Sequence, residues 1–500
     1  MTIETASIPV IDLFAGPGGL NEGFSQLQDS DGNPIFTTVG SFEMDPTAVK
    51  TLTLRDMFRH MDRNGGVPDS YYKFICGELA WDSFVANQDV SAALEAAQSN
   101  VHQVELGSDE DESNALIRIA LENAGALSGK PWVLIGGPPC QAYSLAGRSR
   151  RANDDTFAED KKHFLYREYL RIIREFEPSV FVMENVKGLL SSTTTGVGMF
   201  DLIKRDLEHP GGDLHYDVHS LTTDKDPSAL KPRDFIIKSE QFGIPQKRHR
   251  VILVGTRHGF FPQDTSVGKL EPAPLVTVKD ALSGLPRLRS GISPASLDSL
   301  EAWVTIRNLA SAGTADVRST LGRGGESLAR EGEPADTEFA AWVIDRRLDH
   351  VIQHHSRTHM TEDLKRYWFA ASEAKRTGTS PKLRDYPPSL LPNHKNADSD
   401  SPPFEDRFRV QLENDASTTV VSHIAKDGHY YIHPDPAQMR SLTVREAARL
   451  QSFPDNYFFM GSQTQQYHQV GNAVPPLLAN QIAKIVQQLV NRGSEPLSTR

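Results

Sequence analysis

Blocks of apolar residues alternate with polar and glycine-rich breaks along most of the chain, the pattern of an α/β protein with a mostly parallel sheet. Residues 8–14 form a short apolar run ending in FAGPGGLNEGF, which predicts a strand, a turn holding Gly16, Gly18, Gly19 and Gly23, and then a helix. A second strand is expected over residues 37–42, closing on Glu43 and Asp45, with Asp45 as N-cap ahead of Pro46. FICGE, residues 74–78, reads as a third strand end carrying Glu78. Residues 82–130 are helical and acidic, with apolar spacings of three and four in SNALIRIALENAGAL, and are expected to form a peripheral insertion without chemistry.

From Trp132 the chain reads WVLIGGPPCQAYS, so that an apolar strand end, Val133 to Ile135, is stopped by Gly136, Gly137, Pro138 and Pro139. A polar segment, GRSRRANDDTFAED (147–160), precedes an amphipathic helix over 163–176 that carries Phe164, Leu165, Tyr169, Ile172, Ile173 and Phe176 and is closed by Pro178. A strand over 180–183 runs into Glu184, Asn185 and Val186, further strands over 217–222 and 250–254 bracket FGIPQKRHR, and a short helix over 277–285 follows. Residues 286–440 are looser, rich in Pro, Gly, Ser and His, with one helix over 362–375. Regularity returns at 441–446, where Thr443 and Glu446 form a capping box. The last helix starts at Pro475-Pro476, buries Leu478, Ile482, Ile485 and Leu489, and stops near Gly493. The expected organisation is a domain of residues 1–285 completed by 465–492, a loop-rich domain of 286–440, and a return segment, 441–464, between them.

Composition removes several classes of function. Two cysteines, Cys76 and Cys140, cannot make a disulfide framework, and no Cys/His spacing suggests zinc, so a reducing cytoplasm is expected and no metal. MTIETASIPVIDLF lacks a basic signal region, and no run approaches about 18 apolar residues, which argues against secretion and membranes. The net charge of −12 argues weakly against nucleic acid, but acid is concentrated at residues 109–112 while 247–257 carries none.

The chemistry centres on Cys140. Two prolines restrict the approach to it, which suits a nucleophile that must meet its target at one angle; a Pro-rich turn with a small packed thiol fits the same residues. The first glycine turn fits a nucleoside ligand at a helix N-terminus, although GxGxxG is not met because Asn21 takes the third glycine's place. Glu43 stands where an acid commonly takes ribose hydroxyls, and Glu184 faces the same crevice from another strand end. Segment 147–160 is a candidate lid, with Arg148, Arg150 and Arg151 available for phosphates.

FAGPGG, GPPCQAYS, ENV, QKRHR and QVGNAVPP occur in this order, and in them the chain resembles the DNA cytosine-5 methyltransferase family over residues 8–286 and 441–485. The resemblance implies a Rossmann-like, S-adenosylmethionine-dependent methyltransferase fold with a smaller irregular target-recognition domain at 286–440. It implies Cys140, Glu184, Arg248 and Arg250 as the catalytic set. Phe14, Gly16, Gly18, Gly19, Glu43, Met44, Glu78, Pro138, Leu165, Asn472 and Ala473 would hold the cofactor, which leaves as S-adenosylhomocysteine. Gln141, Ser144, Arg148, Arg150, Gln246 and Thr419 would meet DNA. Two departures are Glu78 where Asp is usual and Met44 where an aromatic residue often stacks on adenine.

Cytosine C5 is too weak a nucleophile to take a methyl group unaided, so a thiolate must first add at C6, which is the role expected of Cys140. Protonated Glu184 would hold N3 and the exocyclic amine, and Arg250 would stabilise charge at O2, with Arg248 and Gln246 positioning the loop and backbone. The cytosine must leave the duplex to be reached. The expected partner is double-stranded DNA, bound by a monomer. A restriction partner, another anti-phage system and a solitary bacterial enzyme all stay open as contexts.

Rival readings are a tRNA cytosine-5 methyltransferase and a catalytically silent DNA-binding relative. The first lacks its Cys-Phe-Thr element here, since Cys76 and Cys140 are followed by Gly77 and Gln141; intact Cys140, Glu184 and Arg250 oppose the second. Adenine-N6 or cytosine-N4 transfer is disfavoured because Pro-Pro-Cys replaces the Asp/Asn/Ser-Pro-Pro-aromatic turn. The run His350, His354, His355 and His359 is expected on a solvated or DNA-facing helix, and Arg445 and Arg449 are expected to hold the two domains or a phosphate.

Overall fold

The computed structural model describes residues 7–139, 165–191, 193–194, 197–262, 266–311, 321–332, 336–393 and 405–493. Its centre is an eight-stranded sheet. The strands are β1 (Ile8–Leu13), β2 (Phe36–Glu43), β3 (Val101–Gln103), β4 (Val133–Gly136), β5 (Val180–Val186), β6 (Tyr216–His219), β7 (Ile236–Lys238) and β8 (His249–Arg257). Their order is β3-β2-β1-β4-β5-β8-β6, with β7 also pairing β8. Strands β3, β2, β1, β4 and β5 are mutually parallel, and β8 runs antiparallel to β5, β6 and β7. Every residue of β1 and β4 is buried, which is why both read as apolar runs, broken only by Asp12 in β1: helices cover both faces of a parallel sheet.

The first half contributes α1 (Gly19–Ser25), α2 (Pro46–Arg63), α3 (Asp69–Ile75), α4 (Trp81–Val85), α5 (Gln88–Asn100), α6 (Glu110–Asn123), α7 (Leu165–Phe176) and α8 (Met199–Glu208). On one face Tyr169, Ile172 and Ile173 of α7 pack with Ile117 of α6 and Ile203 of α8 over Ile11, Leu134 and Phe181. On the other, Leu20 and Phe24 of α1 meet Leu478, Ile482 and Val486 of the last helix, α15 (Pro476–Gly493), over Val10, Ile135 and Val182. Asp45 caps α2 by accepting from the Thr47 and Ala48 amides, as its place before Pro46 predicts.

The third strand corrects the reading of residues 74–78. That stretch is the end of helix α3, in which Tyr71 and Ile75, four apart, pack against Met57 and Phe58 of α2. The third strand is instead β3, inside the acidic segment expected to be peripheral, and pairs Val101 with Ser41 and Gln103 with Glu43. Three residues, two of them polar, give no apolar run from which to read a strand.

The middle of the chain holds α9 (Val278–Ala281), α10 (Leu300–Ala310), α11 (Glu338–Val343) and α12 (Thr361–Thr377), with short strand pairs. The histidine run is strand, not helix: His350–His355 pairs antiparallel with Gly324–Ala329, and Thr358–Met360 pairs parallel with Gly291–Ser293. The middle is fastened to α13 (Val444–Leu450), whose Thr443–Glu446 capping box forms as the sequence predicts. The buried His354 Nε2 donates to the Pro286 carbonyl at 2.8 Å, and Nδ1 lies 2.9 Å from Thr443 Oγ1. His359 sits between Ser441 Oγ (3.1 Å) and Tyr367 Oη (3.2 Å). With both ring nitrogens engaged, neither is a metal ligand.

Burial pushes His354 down to about 4 and His359 down to about 3, so both fold as neutral imidazoles. The unfolded chain takes up these protons near pH 6.5, so between pH 6.5 and 4 the unfolded state binds more protons and stability falls as pH falls. Each histidine contributes a slope of at most about 1.4 kcal/mol per pH unit across that window. The urea midpoint is expected to be lower at pH 5 than at pH 7.5; equal midpoints would contradict this assignment.

Candidate active site

The C-terminal edge of the parallel strands brings the expected motifs together. β1 leaves the sheet through Phe14, held at φ 55°, and the turn continues through Gly16 at φ 55° and Gly18 at φ 87°. A Cβ built on Gly16 meets no atom of the described residues within 4 Å, so among them this turn borders open space. Gly19 does a different job from the one its motif suggests, since a Cβ there would fall 2.2 Å from the Val474 carbonyl oxygen: it lets α1 pack closely against the chain entering α15. Glu43, closing β2, accepts from the Gly16 amide at 2.8 Å through Oε2 and from Met44 and Asp45 at 2.9 and 2.8 Å through Oε1. Its carboxylate thereby orders the glycine turn. Met44 is exposed beside it.

Glu184 and Asn185 stand near the end of β5. In the antiparallel register Ile252 faces Glu184 and Arg250 faces Val186, so Arg250 and Glu184 are diagonal neighbours on one face. Arg250 Nε lies 2.8 Å from Glu184 Oε1 in an ion pair, with both side chains largely buried, while its Nη1 donates to the His249 carbonyl at 3.0 Å. A Cβ on Gly137 would lie 3.1 Å from Glu184 Oε2, so the glycine after β4 gives the carboxylate its place. Asn185 Nδ2 donates to the Pro138 carbonyl at 3.2 Å and pins the double-proline turn. Cys140 follows that turn directly; it, Gln141, Ser144, Arg148, Arg150 and the candidate lid lie outside the described residues.

The QKRHR and Thr-containing segments meet by backbone pairing: Gln246 and Lys247 run parallel to Ser417 and Thr418. Thr419 Oγ1 donates to the Lys247 carbonyl at 2.7 Å, and the residue is half-buried. Gln246, expected at the DNA, is instead fully buried, because its amide donates to the Leu450 carbonyl and Gln451 Oε1 while its oxygen accepts from the Val420 amide. Arg248, expected in the catalytic set, is likewise buried, with Nη1 donating to the Val420 carbonyl at 2.7 Å and Nη2 to the Gly471 carbonyl at 3.2 Å. Burial, with the Arg250 charge beside it, drives its pKa well down. Both residues tie the end of the middle region to the QVGNAVPP segment through these bonds, while Arg248 Nε has no partner among the described residues.

Gln451 extends the tie by donating to the carbonyls of Val470 and Ala473, which fixes the end of α14 (Gln463–Asn472) and leaves Asn472 exposed at its last position. Leu165 opens the described part of α7 and is half-buried. Glu78 is exposed after α3 and ends no strand; the acid just past β3 is Glu105. Arg445 donates to the carbonyls of Ile352, Pro454 and Tyr457, and Arg449 to Asp455 and to the carbonyls of Ala281 and Ser283, so both hold elements of the chain together.

Residues 117–488 match the family model of the C-5 cytosine-specific DNA methylases. The chain belongs to that family. It is 33% identical over 499 residues to the Type II methyltransferase M.Bpa9945I of Bacillus paralicheniformis, covering 96% of this chain and 99% of the relative. It is 28% identical to the Type II methyltransferase M.AgeI of Thalassovita gelatinovora, covering 83% of this chain and 96% of that one. Among solved structures, a prophage-encoded E. coli protein assigned as a DNA modification methyltransferase superposes with a TM-score of 0.56 at 20% identity, over 97% of this chain and all of that one, and shares the fold. The chain is a DNA cytosine-5 methyltransferase.

Two buried acids beside the glycine turn carry no expectation from the sequence. Asp12, the last residue but one of β1, is buried, with neither carboxylate oxygen hydrogen-bonded among the described residues; burial, opposed by the Arg59 charge, raises its pKa well above the carboxylate range. Glu22, in α1, is fully buried between Arg55 and Arg59. A lone acid inside an apolar strand was the available signal for Asp12. Nothing local signals Glu22.

Proposed function

We propose that this methylase transfers the methyl group of S-adenosylmethionine to C5 of a flipped-out cytosine in a specific duplex sequence, through a covalent adduct of Cys140 with C6, as the modification enzyme of a Type II restriction-modification system. The observation that carries the chemistry is the Glu184–Arg250 pair at 2.8 Å, set against Gly137 and the pinned turn that leads into Cys140. The Type II context rests on the two relatives named for it.

The crevice residues fit the cofactor. Among the described residues the glycine turn borders open space, Glu43 is oriented by three amides, and Asn472 is exposed at the end of α14. Phe14, Gly16, Gly18, Glu43 and Asn472 would hold it, with Glu105 supplying the acid at the third strand in place of Glu78. When bound, S-adenosylmethionine supplies an electrophilic methyl group to C5.

The Cys140 thiolate adds to C6 and pushes electrons toward N3. Glu184 delivers a proton to N3 and accepts from the exocyclic amine, while Arg250 stabilises charge at O2 and holds the Glu184 carboxyl in line. Once C5 is methylated, N3 returns its proton to Glu184, and loss of the C5 proton to water with cleavage of the C6–S bond restores the C5–C6 double bond and releases the Cys140 thiolate. Residues 286–440 read the target sequence, with Thr419 placed beside the backbone of the flipped nucleotide.

The test is transfer of labelled methyl from S-adenosylmethionine to duplex DNA, with the product read by bisulfite sequencing. Label at cytosine C5 within one recurring sequence is expected. Unlabelled DNA, or label on tRNA alone, would overturn the proposal.

A further inference from the structure

The far edge of the central sheet carries a cluster of possible metal ligands outside the crevice. His215 leads into β6, Asp217 lies on it, and His258 follows the last residue of β8. The sheet fixes their spacing: Asp217 pairs with Thr256, Tyr216 with Arg257, and the His258 amide donates to the His215 carbonyl at 2.9 Å. His215 Nε2 stands 3.6 Å from Asp217 Oδ1, and His258 Nδ1 stands 3.3 Å from Asp217 Oδ2. One ligand atom from each of the three groups falls within 4.8 Å of the others. An ion bound tetrahedrally at about 2.0–2.1 Å separates its ligand atoms by roughly 3.4 Å, so the cluster already has nearly the spacing of three ligands.

His209, which caps α8, supplies the outer contact. Its Nδ1 lies 3.2 Å from His215 Nδ1, a hydrogen bond in which one ring must donate. When His215 donates from Nδ1, its Nε2 bears a lone pair turned toward the Asp217 carboxylate, and two acceptors then face each other with room for a cation between them. A hydrogen bond at the ring nitrogen away from the metal is how proteins select the ligating nitrogen of a histidine. Asp217 and His215 are partly exposed and His258 is exposed, so an ion can enter from solvent and a water can take the fourth position.

We propose that His215, Asp217 and His258 form a binding site for a divalent transition metal of the zinc class, oriented by His209, which fastens the outer edge of the sheet. Two imidazoles and one carboxylate favour such an ion over magnesium or calcium, which prefer all-oxygen shells. The site is remote from methyl transfer. Thr256 pairs with Val180 at the start of β5, whereas Arg250 pairs with Val186 at its end, and the eight residue steps from Arg250 to His258 span roughly 26 Å. The ion is therefore structural in this reading: it joins the turn after α8, β6 and the exit of β8.

The test is calorimetric titration of tag-free full-length protein with Zn²⁺, beside His215→Ala and His258→Ala. The wild type is expected to bind one more equivalent of Zn²⁺ than either variant, to show a tetrahedral Co²⁺ absorption band that both lack, and to gain a few degrees in Tm at saturating Zn²⁺. His209→Ala is expected to keep the stoichiometry and weaken affinity about 10- to 100-fold. All three substitutions lie at partly or fully exposed positions, and methyl transfer by the variants should stay within about twofold of wild type. Equal Zn²⁺ stoichiometry in wild type and variants, or no binding by the wild type at about 1 mM Zn²⁺, would overturn the proposal.

Discussion

Glu184→Gln is expected to lower kcat for methyl transfer about 10²- to 10⁴-fold, the range that a positioned general acid contributes. The substitution keeps shape and keeps an oxygen for Arg250 Nε, 2.8 Å away in the wild type, so the pairing of β5 with β8 should survive. What it removes is the ability to pass a proton to N3 as charge builds in the ring. Binding of S-adenosylmethionine and of duplex DNA should change by less than about threefold, because Glu43 and the glycine turn are untouched. A loss confined to kcat marks an interaction made in the transition state rather than in binding. If kcat stayed within tenfold of wild type, Glu184 would not be the acid. If cofactor affinity fell in parallel, its role would be structural.

Strands β1, β4 and β5 were legible because a strand covered on both faces is mostly apolar, Asp12 and the Glu184–Asn185 pair being the exceptions, and the Asp45 and Thr443 caps were legible because they use contacts within three residues. Where packing partners are remote, the sequence misled. FICGE carries an apolar triplet followed by an acid, yet its apolar residues serve a helix packed on α2, while the true third strand is short and polar. The histidine run becomes a strand only because Gly324–Ala329 pairs with it. Gln246 and Arg248 show the same limit inside a motif. Residue type announced polar chemistry, but whether that chemistry faces a substrate or a carbonyl depends on Val420, Leu450 and Gly471, far along the chain. Contiguous motifs thus located the crevice, and long-range contacts decided which of their residues line it.

The same distinction governs the second large effect, at Glu22. Arg55 donates to its carboxylate through Nε at 2.9 Å and Nη2 at 2.5 Å, and Arg59 through Nη2 at 2.8 Å, with Glu22 wholly buried. Arg55 also lies over the rings of Phe58 and Tyr457, at 4.0 and 4.9 Å from their centroids. Glu22→Ala leaves the buried Arg55 without its anion and Arg59 with only Asp56, 3.9 Å away, so unfolding free energy is expected to fall by about 3–5 kcal/mol. Helix α1 starts directly after the glycine turn, so cofactor affinity should weaken as well. Burial alone would raise the Glu22 pKa, but the charges and hydrogen bonds of Arg55 and Arg59 bring it from 4.5 down to about 2. The folded value is the lower one, so this stabilisation is fully present above pH 4.5 and is lost as pH falls toward 2. Urea unfolding of wild type and Glu22→Ala should therefore differ most near pH 7 and converge in acid, and taking the difference cancels the histidine contribution common to both proteins. A difference below about 1 kcal/mol at pH 7, or one that stays constant with pH, would show that the two arginines draw little from Glu22.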